Sequence, residues 1–188
     1  MSFFQTSSSA KGRIPPPVLS ALVLVLLLPI NALAGPAEEH GLFKSGEGSL
    51  RWFGISVFTA QLWTRPDSSQ GALYDRPVML SIEYDWNVSR QRILRATREE
   101  WKRLDGQLDA REISWLDALA GIFPDVRSGE NLSSLVMPGS GTQFFLGDNE
   151  IGRIDDADFG QSFLAIWLDE NTRDTRLREG LLNQLPAT

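Results

Sequence analysis

The stretch that decides the fold runs from Gly48 to Thr64 and reads GSLRWFGISVFTAQLWT. It is rich in β-branched and aromatic residues, and Gly54 and Ser56 near its middle disfavour a helix. Side chains alternate between two faces along a strand, and both faces are largely apolar at the centre of this stretch. The pattern therefore predicts one long strand that is central in its sheet and covered on both sides.

One face of this predicted strand carries small residues between large ones. Gly54, Ser56 and Ala60 form a shallow floor, and bulky side chains stand at both ends of the face. Two interpretations of the floor stay open. Either a helix packs closely on it, or a small apolar ligand binds above it.

The first 34 residues have the pattern of an export signal. Lys11 and Arg13 supply a basic region, residues 18–30 form an apolar run, and a small-x-small pattern ends at Ala34. The run is too short to span a bilayer comfortably. We therefore expect a cleaved signal peptide over residues 1–34, a single domain over residues 35–188, and a periplasmic location. A retained N-terminal anchor is the alternative.

The composition excludes several classes of function. The net charge is −6 at pH 7, and it becomes −8 once the signal's two basic residues are removed, because 16 basic residues then face 24 acidic ones. An acidic chain without a basic stripe is a poor nucleic-acid binder. The chain has no cysteine, which excludes disulfides, thiolate zinc sites and cysteine nucleophiles. No second apolar run is long enough to span a membrane, so no stable span is expected after signal removal.

No cluster of residues carries a recognisable catalytic or metal-binding motif. His40 is the single histidine, so a serine triad or a histidine metal site would depend on it alone. Asp155, Asp156 and Asp158 lack the spacing of an EF-hand loop, and they are better explained as caps of the helix that follows. No cofactor and no metal are predicted.

The rest of the chain predicts an α+β fold with an antiparallel sheet and helices on one face. The first helix begins after the cap residue Ser89, and its many arginines are interpreted as a solvated face, with an anion-binding face as the alternative. The predicted elements outside the deciding stretch are, in chain order, a brief strand Leu42–Ser45, a strand Pro77–Trp86, helices Arg90–Leu104 and Arg111–Phe123, a meander of strands Leu132–Met137, Thr142–Leu146 and Glu150–Ile154, a buried helix capped by Asp155 or Asp156, and a closing helix containing Leu177 and Leu185.

Several motifs along the chain resemble the bacterial chalcone-isomerase-like domain family. The pattern G-x-L-R-x-x-G-x-x-V-[FY]-x-A-x-L-W occupies Gly48 to Trp63. The similarity covers about Leu42 to Leu185. The other matching motifs are Leu80-x-x-x-Tyr84, Ile122-Phe123-Pro124-Asp125-Val126, the turn Pro138-Gly139-x-Gly141-Thr142, and Ile166-Trp167-Leu168-Asp169.

This resemblance implies an open-faced β-sandwich, in which one large antiparallel sheet carries a helical layer on one face. It also implies a cleft between sheet and helices, which closes a flavanone ring in the plant enzymes and holds a fatty acid in related plastid proteins. The positions that match the enzyme's threonine and arginine are Phe53 and His40 here. Arg51 is the candidate substitute cation.

The sequence therefore predicts a periplasmic, non-catalytic binder of a small hydrophobic ligand such as a fatty acid. Two alternatives remain: an intramolecular lyase of the chalcone-isomerase type, acting on an unknown substrate, and an envelope interaction protein without a ligand. The sequence identifies no protein partner. The predicted ligand-binding residues are Arg51, Phe53, Gly54, Ser56, Phe58, Tyr84 and Trp86.

Overall fold

Six antiparallel strands form one sheet in the computed structural model, which describes residue 1 and residues 35–187. The strands pair in chain order, so each lies beside the next one along the sequence. The predicted signal peptide, Met1 aside, and its cleavage site lie outside the described residues. The strands are β1 (Phe43–Trp52), β2 (Ile55–Thr64), β3 (Val78–Tyr84), β4 (Asn131–Met137), β5 (Gly141–Leu146) and β6 (Asn149–Ile154).

The prediction of one central strand over residues 48–64 is wrong, because the chain folds back on itself at Phe53 and Gly54. β1 pairs antiparallel with β2 across this turn, and β1 lies at the edge of the sheet. Both turn residues have positive φ, 49° for Phe53 and 81° for Gly54. Two consecutive residues with positive φ form the tight turn that matches the twist of a hairpin.

Helices cover the two faces of the sheet unequally, which confirms the predicted open-faced α+β architecture. The four longer helices pack on one face, and α1 packs on part of the other. None of the described helices is long and apolar enough to cross a bilayer. The helices are α1 (Pro36–Glu39), α2 (Arg90–Asp105), α3 (Ala110–Ile122), α4 (Phe159–Leu168) and α5 (Thr175–Leu182), with a 3₁₀ helix over Gln70–Asp75.

The ends of two helices test the predicted caps. The Ser89 hydroxyl accepts a hydrogen bond from the backbone N–H of Arg92 at 3.3 Å, so its predicted role as the cap of α2 is confirmed. The predicted cap of α4 is wrong, because the helix begins after Asp158 rather than after Asp155 or Asp156. Asp156 has a different partner, on another helix.

Asp156 links α3 to the segment between β6 and α4 through hydrogen bonds and an ion pair. Its carboxylate accepts hydrogen bonds from the guanidinium of Arg111 at 2.6 and 3.0 Å, and from Nε1 of Trp115 at 3.0 Å. Arg111 is also 2.7 Å from the carboxylate of Asp158. The bonds from Arg111 are the main cause of the lowered pKa of Asp156. Both carboxylates therefore form an ion pair between elements. Asp158 occupies the cap position of α4, but its side chain makes no capping hydrogen bond.

An aromatic cluster fills the core between the sheet and the longer helices. The neighbouring rings have centroids 5.1 to 6.4 Å apart, and most pairs meet edge to face, the arrangement that aromatic quadrupoles favour. The ring nitrogen of Trp101 donates to the Ser162 carbonyl at 3.0 Å, so the buried polar atom is satisfied. The members of the cluster are Trp101, Trp115, Phe123, Phe144, Phe159 and Phe163.

Two glycines of β1 allow α5 to lie directly on the sheet. A Cβ on Gly46 would collide with the backbone carbonyl of Leu181, and one on Gly48 would come within 2.7 Å of Cδ1 of Leu177. Gly180 of the helix makes the reciprocal approach to the strand. A helix therefore does pack closely on small residues near the start of the deciding stretch. It packs on these two glycines rather than on the floor that the sequence suggested.

Candidate functional site

A cavity of about 660 Å³ lies between the sheet and the helices, beside the aromatic cluster. This volume is in the range of roughly 300–1,000 Å³ that is usual for small-molecule sites. The helices α2 and α4 and the start of α5 line it from the other side. Its lining is mostly apolar, and the residues that the sheet contributes include Phe58, Leu80, Ile82, Tyr84, Leu132 and Phe144.

The strand register explains why these side chains share one face. Phe58 of β2 lies opposite Tyr84 of β3, and Ile82 lies opposite Leu132 of β4. Residues directly opposite each other in a ladder project to the same side, and so do residues two apart along one strand. The rings of Phe58 and Tyr84 meet edge to face with centroids 5.9 Å apart. Alternate side chains of β3 therefore lie on the cavity side of the sheet, where they form an apolar wall with their neighbours from β2 and β4.

Tyr84 is the most deeply buried titratable residue in this wall. The residue is 9% exposed, and burial alone raises the pKa of its phenol to about 12. No side-chain hydrogen bond joins this hydroxyl to another described residue. The phenol stays neutral at physiological pH, so it can donate a hydrogen bond to a polar group of a ligand in the cavity.

The mouth of the cavity carries charged groups from α2 and from the segment before α5. Arg92, Ala96 and Glu100 follow one another at intervals of four residues on α2, so they share one side of the helix. The carboxylate of Glu100 is paired with Arg173 at 2.9 Å and with Arg103 at 2.7 Å. Within residues 35–187, no carboxylate forms an ion pair with Arg92. Its guanidinium therefore remains available at the mouth.

Large apolar side chains also border the mouth, although they are exposed to solvent. Trp52 and Ile55, on either side of the hairpin turn, are 69% and 56% exposed and still line the cavity. Trp86 is 53% exposed and joins them there. Its Nε1 donates to the carbonyl of Ser56 at 2.7 Å, which holds the ring against β2. The apolar lining thus continues outward onto the surface.

Some of the predicted ligand-binding residues line this cavity and others lie outside it. Phe58, Tyr84 and Trp86 are in the lining. The proposed floor of small residues is wrong as a surface, because Gly54 lies in the hairpin turn rather than beside Ala60 on one strand. That any of these residues binds a ligand stays a prediction. The predicted residues outside the lining are Arg51, Phe53, Gly54 and Ser56, at the turn or beside it.

Sequence reasoning missed the contribution of the helices to the lining. The arginines of α2 were interpreted together as a solvated face, yet Arg92 reaches the cavity. Its spacing with Ala96 and Glu100 places the three residues on one side of the helix, and this was the only, weak signal for its position. Leu80 and Ile82 could have been added to Tyr84, because they alternate on the same face of a strand that was predicted.

Comparison with known proteins places this fold and cavity in context. A sequence model described as chalcone isomerase-like matches residues 37–183. An uncharacterized protein of Haemophilus influenzae is 28% identical over 139 residues, which cover 74% of this chain and 67% of that protein. The crystal structure of an Arabidopsis thaliana fatty-acid binding protein is similar, with a TM-score of 0.57 and 11% identity. That match covers 76% of this chain and 87% of the plant chain, and it concerns the fold alone.

Proposed function

This chain belongs to the chalcone isomerase-like family, and we propose that it binds a small hydrophobic acid, such as a fatty acid, without converting it. The observation that carries the proposal is the apolar cavity with the unpartnered hydroxyl of Tyr84 in its wall. The aliphatic chain of the ligand would cover the apolar lining, and the hydroxyl would donate to its carboxylate. The likeness in fold to the plant fatty-acid binding protein supports this ligand class.

The positions that match the polar active-site residues of the enzymes lie away from the cavity. Phe53 is in the hairpin turn and is 89% exposed. His40 follows α1, and its Nδ1 lies 2.9 Å from the carbonyl oxygen of Pro36. Neither side chain lines the cavity, which supports binding without turnover. An intramolecular lyase is the alternative, and conversion of chalcones or hydroxy-enones by the purified protein would favour it.

The proposal includes a periplasmic location, which the N-terminal sequence supports. The basic region, the apolar run over residues 18–30 and the small residues before Gly35 together have the order of a cleaved signal. The mass of the exported chain checks this part, since a chain that still begins at Met1 contradicts cleavage.

Closing the mouth of the cavity should prevent ligand uptake. Ala96 is an exposed residue of α2 that lines the opening, so a larger side chain there can be added without disturbing the core. We expect Ala96→Trp to weaken the binding of a long-chain fatty acid by at least about tenfold, because an indole of about 150–250 Å² would occupy the opening. Displacement of a fluorescent fatty acid measures the affinity.

The matched control places the same side chain on a neighbouring helix. Ala118 of α3 is also exposed, but it lies outside the lining of the cavity. We expect Ala118→Trp to leave the affinity unchanged, and to lower the melting temperature no more than Ala96→Trp does, because both place tryptophan for alanine on an exposed helix face. An equal loss of affinity in the two variants would contradict uptake through this mouth. A wild-type protein that takes up no fatty acid in solution would overturn the proposed function itself.

Removing the hydroxyl of Tyr84 should weaken binding of the acid selectively. A hydrogen bond to a charged group contributes about 1.5–3 kcal/mol, so we expect Tyr84→Phe to lower the affinity for a fatty acid by about tenfold to a hundredfold. Affinity for the hydrocarbon of the same length should stay unchanged, and isothermal titration compares the two. Tyr74→Phe is the control, since this half-buried tyrosine packs against the core outside the cavity. If Tyr84→Phe and wild type bound the fatty acid equally well, the Tyr84 hydroxyl would not contribute to ligand binding.

A further inference from the structure

The tip of the β1–β2 hairpin exposes a group of large apolar side chains. We call this group the hairpin patch, and its members are Trp52, Phe53 and Ile55 together with Trp86 from the segment after β3. Phe53 is 89% exposed, and its ring lies beside that of Trp52 with centroids 5.2 Å apart. Three members of the patch also line the cavity. The apolar side chains of the cavity lining therefore extend to the hairpin tip.

Phe53 serves neither the turn nor the core. It adopts a φ of 49°, and hairpin turns with two positive φ values favour Asn or Asp before glycine rather than a bulky residue. The ring fills no cavity in the described chain, since nearly all of its surface is open to solvent. A contiguous exposed apolar patch of this kind marks an interaction site. The fold alone gives no reason for phenylalanine at this position.

We propose that the hairpin patch docks the protein on a lipid bilayer, with the mouth of the cavity facing the membrane. The patch exposes on the order of 500 Å², given about 150–250 Å² for each aromatic side chain. This is less than the roughly 800 Å² per partner that a stable protein interface buries. A convex tip of two indoles, a phenyl ring and an aliphatic side chain instead suits the boundary between head groups and acyl chains.

Exposed arginines around the patch favour a bilayer that contains anionic lipids. Arg51 precedes Trp52 on β1, and Arg92 stands at the mouth of the cavity. Neither forms an ion pair with another residue of the described chain, so both can face lipid phosphates. Asp85 precedes Trp86 and offsets part of this charge, so apolar insertion supplies most of the affinity. A basic residue near an anionic surface contributes about 1 kcal/mol.

Docking of this kind goes beyond ligand binding, because it concerns the surface and not the interior. It also gives the ligand a route. A single-chain lipid could pass from the bilayer to the cavity along Trp52 and Ile55 without crossing water. The docking and the ligand binding are measured separately, so each can fail while the other holds.

The test is the partition of the protein into vesicles of phosphatidylcholine mixed with phosphatidylglycerol. We expect Phe53→Asn to lower the partition coefficient by about fivefold to tenfold, because a large apolar side chain no longer enters the bilayer. The same substitution creates an Asn-Gly pair, which suits this hairpin turn, so the melting temperature should stay equal or rise. Opposite effects on docking and on stability distinguish a membrane contact from a folding defect.

Two further variants check where the contact lies and what charge it needs. Phe43 is 62% exposed at the opposite end of β1, and Phe43→Asn should leave vesicle partition unchanged. Arg51→Gln should lower partition into the mixed vesicles severalfold and leave partition into pure phosphatidylcholine unchanged. Both the full chain and the chain from Gly35 are measured, because the apolar run over residues 18–30 would itself bind lipid.

The inference is overturned if Phe53→Asn binds vesicles as well as wild type, or if Phe43→Asn loses binding equally. It is also overturned if the patch instead mediates a dimer, seen as a concentration-dependent mass that Phe53→Asn abolishes. Fatty-acid affinity is measured on the same variants in solution without vesicles. Loss of docking in a protein that still takes up fatty acid refutes this inference alone. Docking by a protein that takes up no fatty acid refutes the proposed function alone.

Discussion

Gly46→Ala should lower the free energy of unfolding by about 3 kcal/mol or more, the upper end of what overpacking usually costs. The new methyl group would meet the backbone carbonyls of Leu181 and Gly180, and it lies too close to both for any real Cβ. A flexible side chain could rotate away, but the backbone of a helix cannot. To relieve the collision, α5 has to move off the edge strand.

Chemical denaturation in urea measures this loss, and Gly121→Ala is the matched control. Gly121 lies near the end of α3, where an added Cβ would meet no atom within 4 Å. Alanine is the better helix former, so this variant should gain about 0.5–1 kcal/mol. Opposite signs are thus expected for the same chemical change. If the urea midpoint of Gly46→Ala equalled that of wild type, α5 would not lie on β1 as the structure has it.

The displacement of α5 in Gly46→Ala should also change the shape of the cavity. Leu177 packs over Gly48 from the first turn of this helix, and the same leucine lines the cavity. A helix that shifts away from the strand would therefore widen the site on one side. The glycines of the edge strand thus position part of the cavity, although they do not line it themselves.

Local sequence patterns were sufficient to predict the elements whose formation depends on residues close to one another in the sequence. The alternation in residues 78–84 fixed β3 and the face of Tyr84, and the Ser89 cap fixed the start of α2. The hairpin was missed because apolar residues continue through its turn and Phe53-Gly54 is not a typical turn pair. From one continuous alternation, a single strand and two paired strands cannot be told apart.

The parts of the site that escaped prediction depend on contacts between distant segments. Gly46 and Gly48 are small because α5 lies on them, yet that helix begins at Thr175. Arg92 resembles its solvated neighbours on α2, because a residue at the mouth of an open cavity is itself exposed. Periodicity reports which face of an element is apolar. It does not report where two apolar faces fail to close against each other.

Phe144→Ala should cost about 3–5 kcal/mol, the usual range for removing a fully buried ring. Phe144 is 0% exposed, and its ring meets those of Phe123, Phe163 and Phe159 with centroids 5.1, 5.7 and 5.9 Å apart. It belongs to the aromatic cluster and also lines the cavity. Its removal should leave a void that is continuous with the cavity. The variant should therefore accept longer acids, and its optimal chain length should increase.

The adjacent residue of β5 separates the two effects of this truncation. Phe145 is 7% exposed and belongs to the smaller cluster on the opposite face of the sheet, with Leu135 and Met79. Phe145→Ala should lose a comparable amount of stability, but the optimal chain length should stay as in wild type, because this ring does not line the cavity. Both variants are compared with a series of fatty acids at a temperature where both are folded. If Phe144→Ala and Phe145→Ala changed the preferred chain length equally, the preference would depend on a general loosening of the fold rather than on the shape of this cavity.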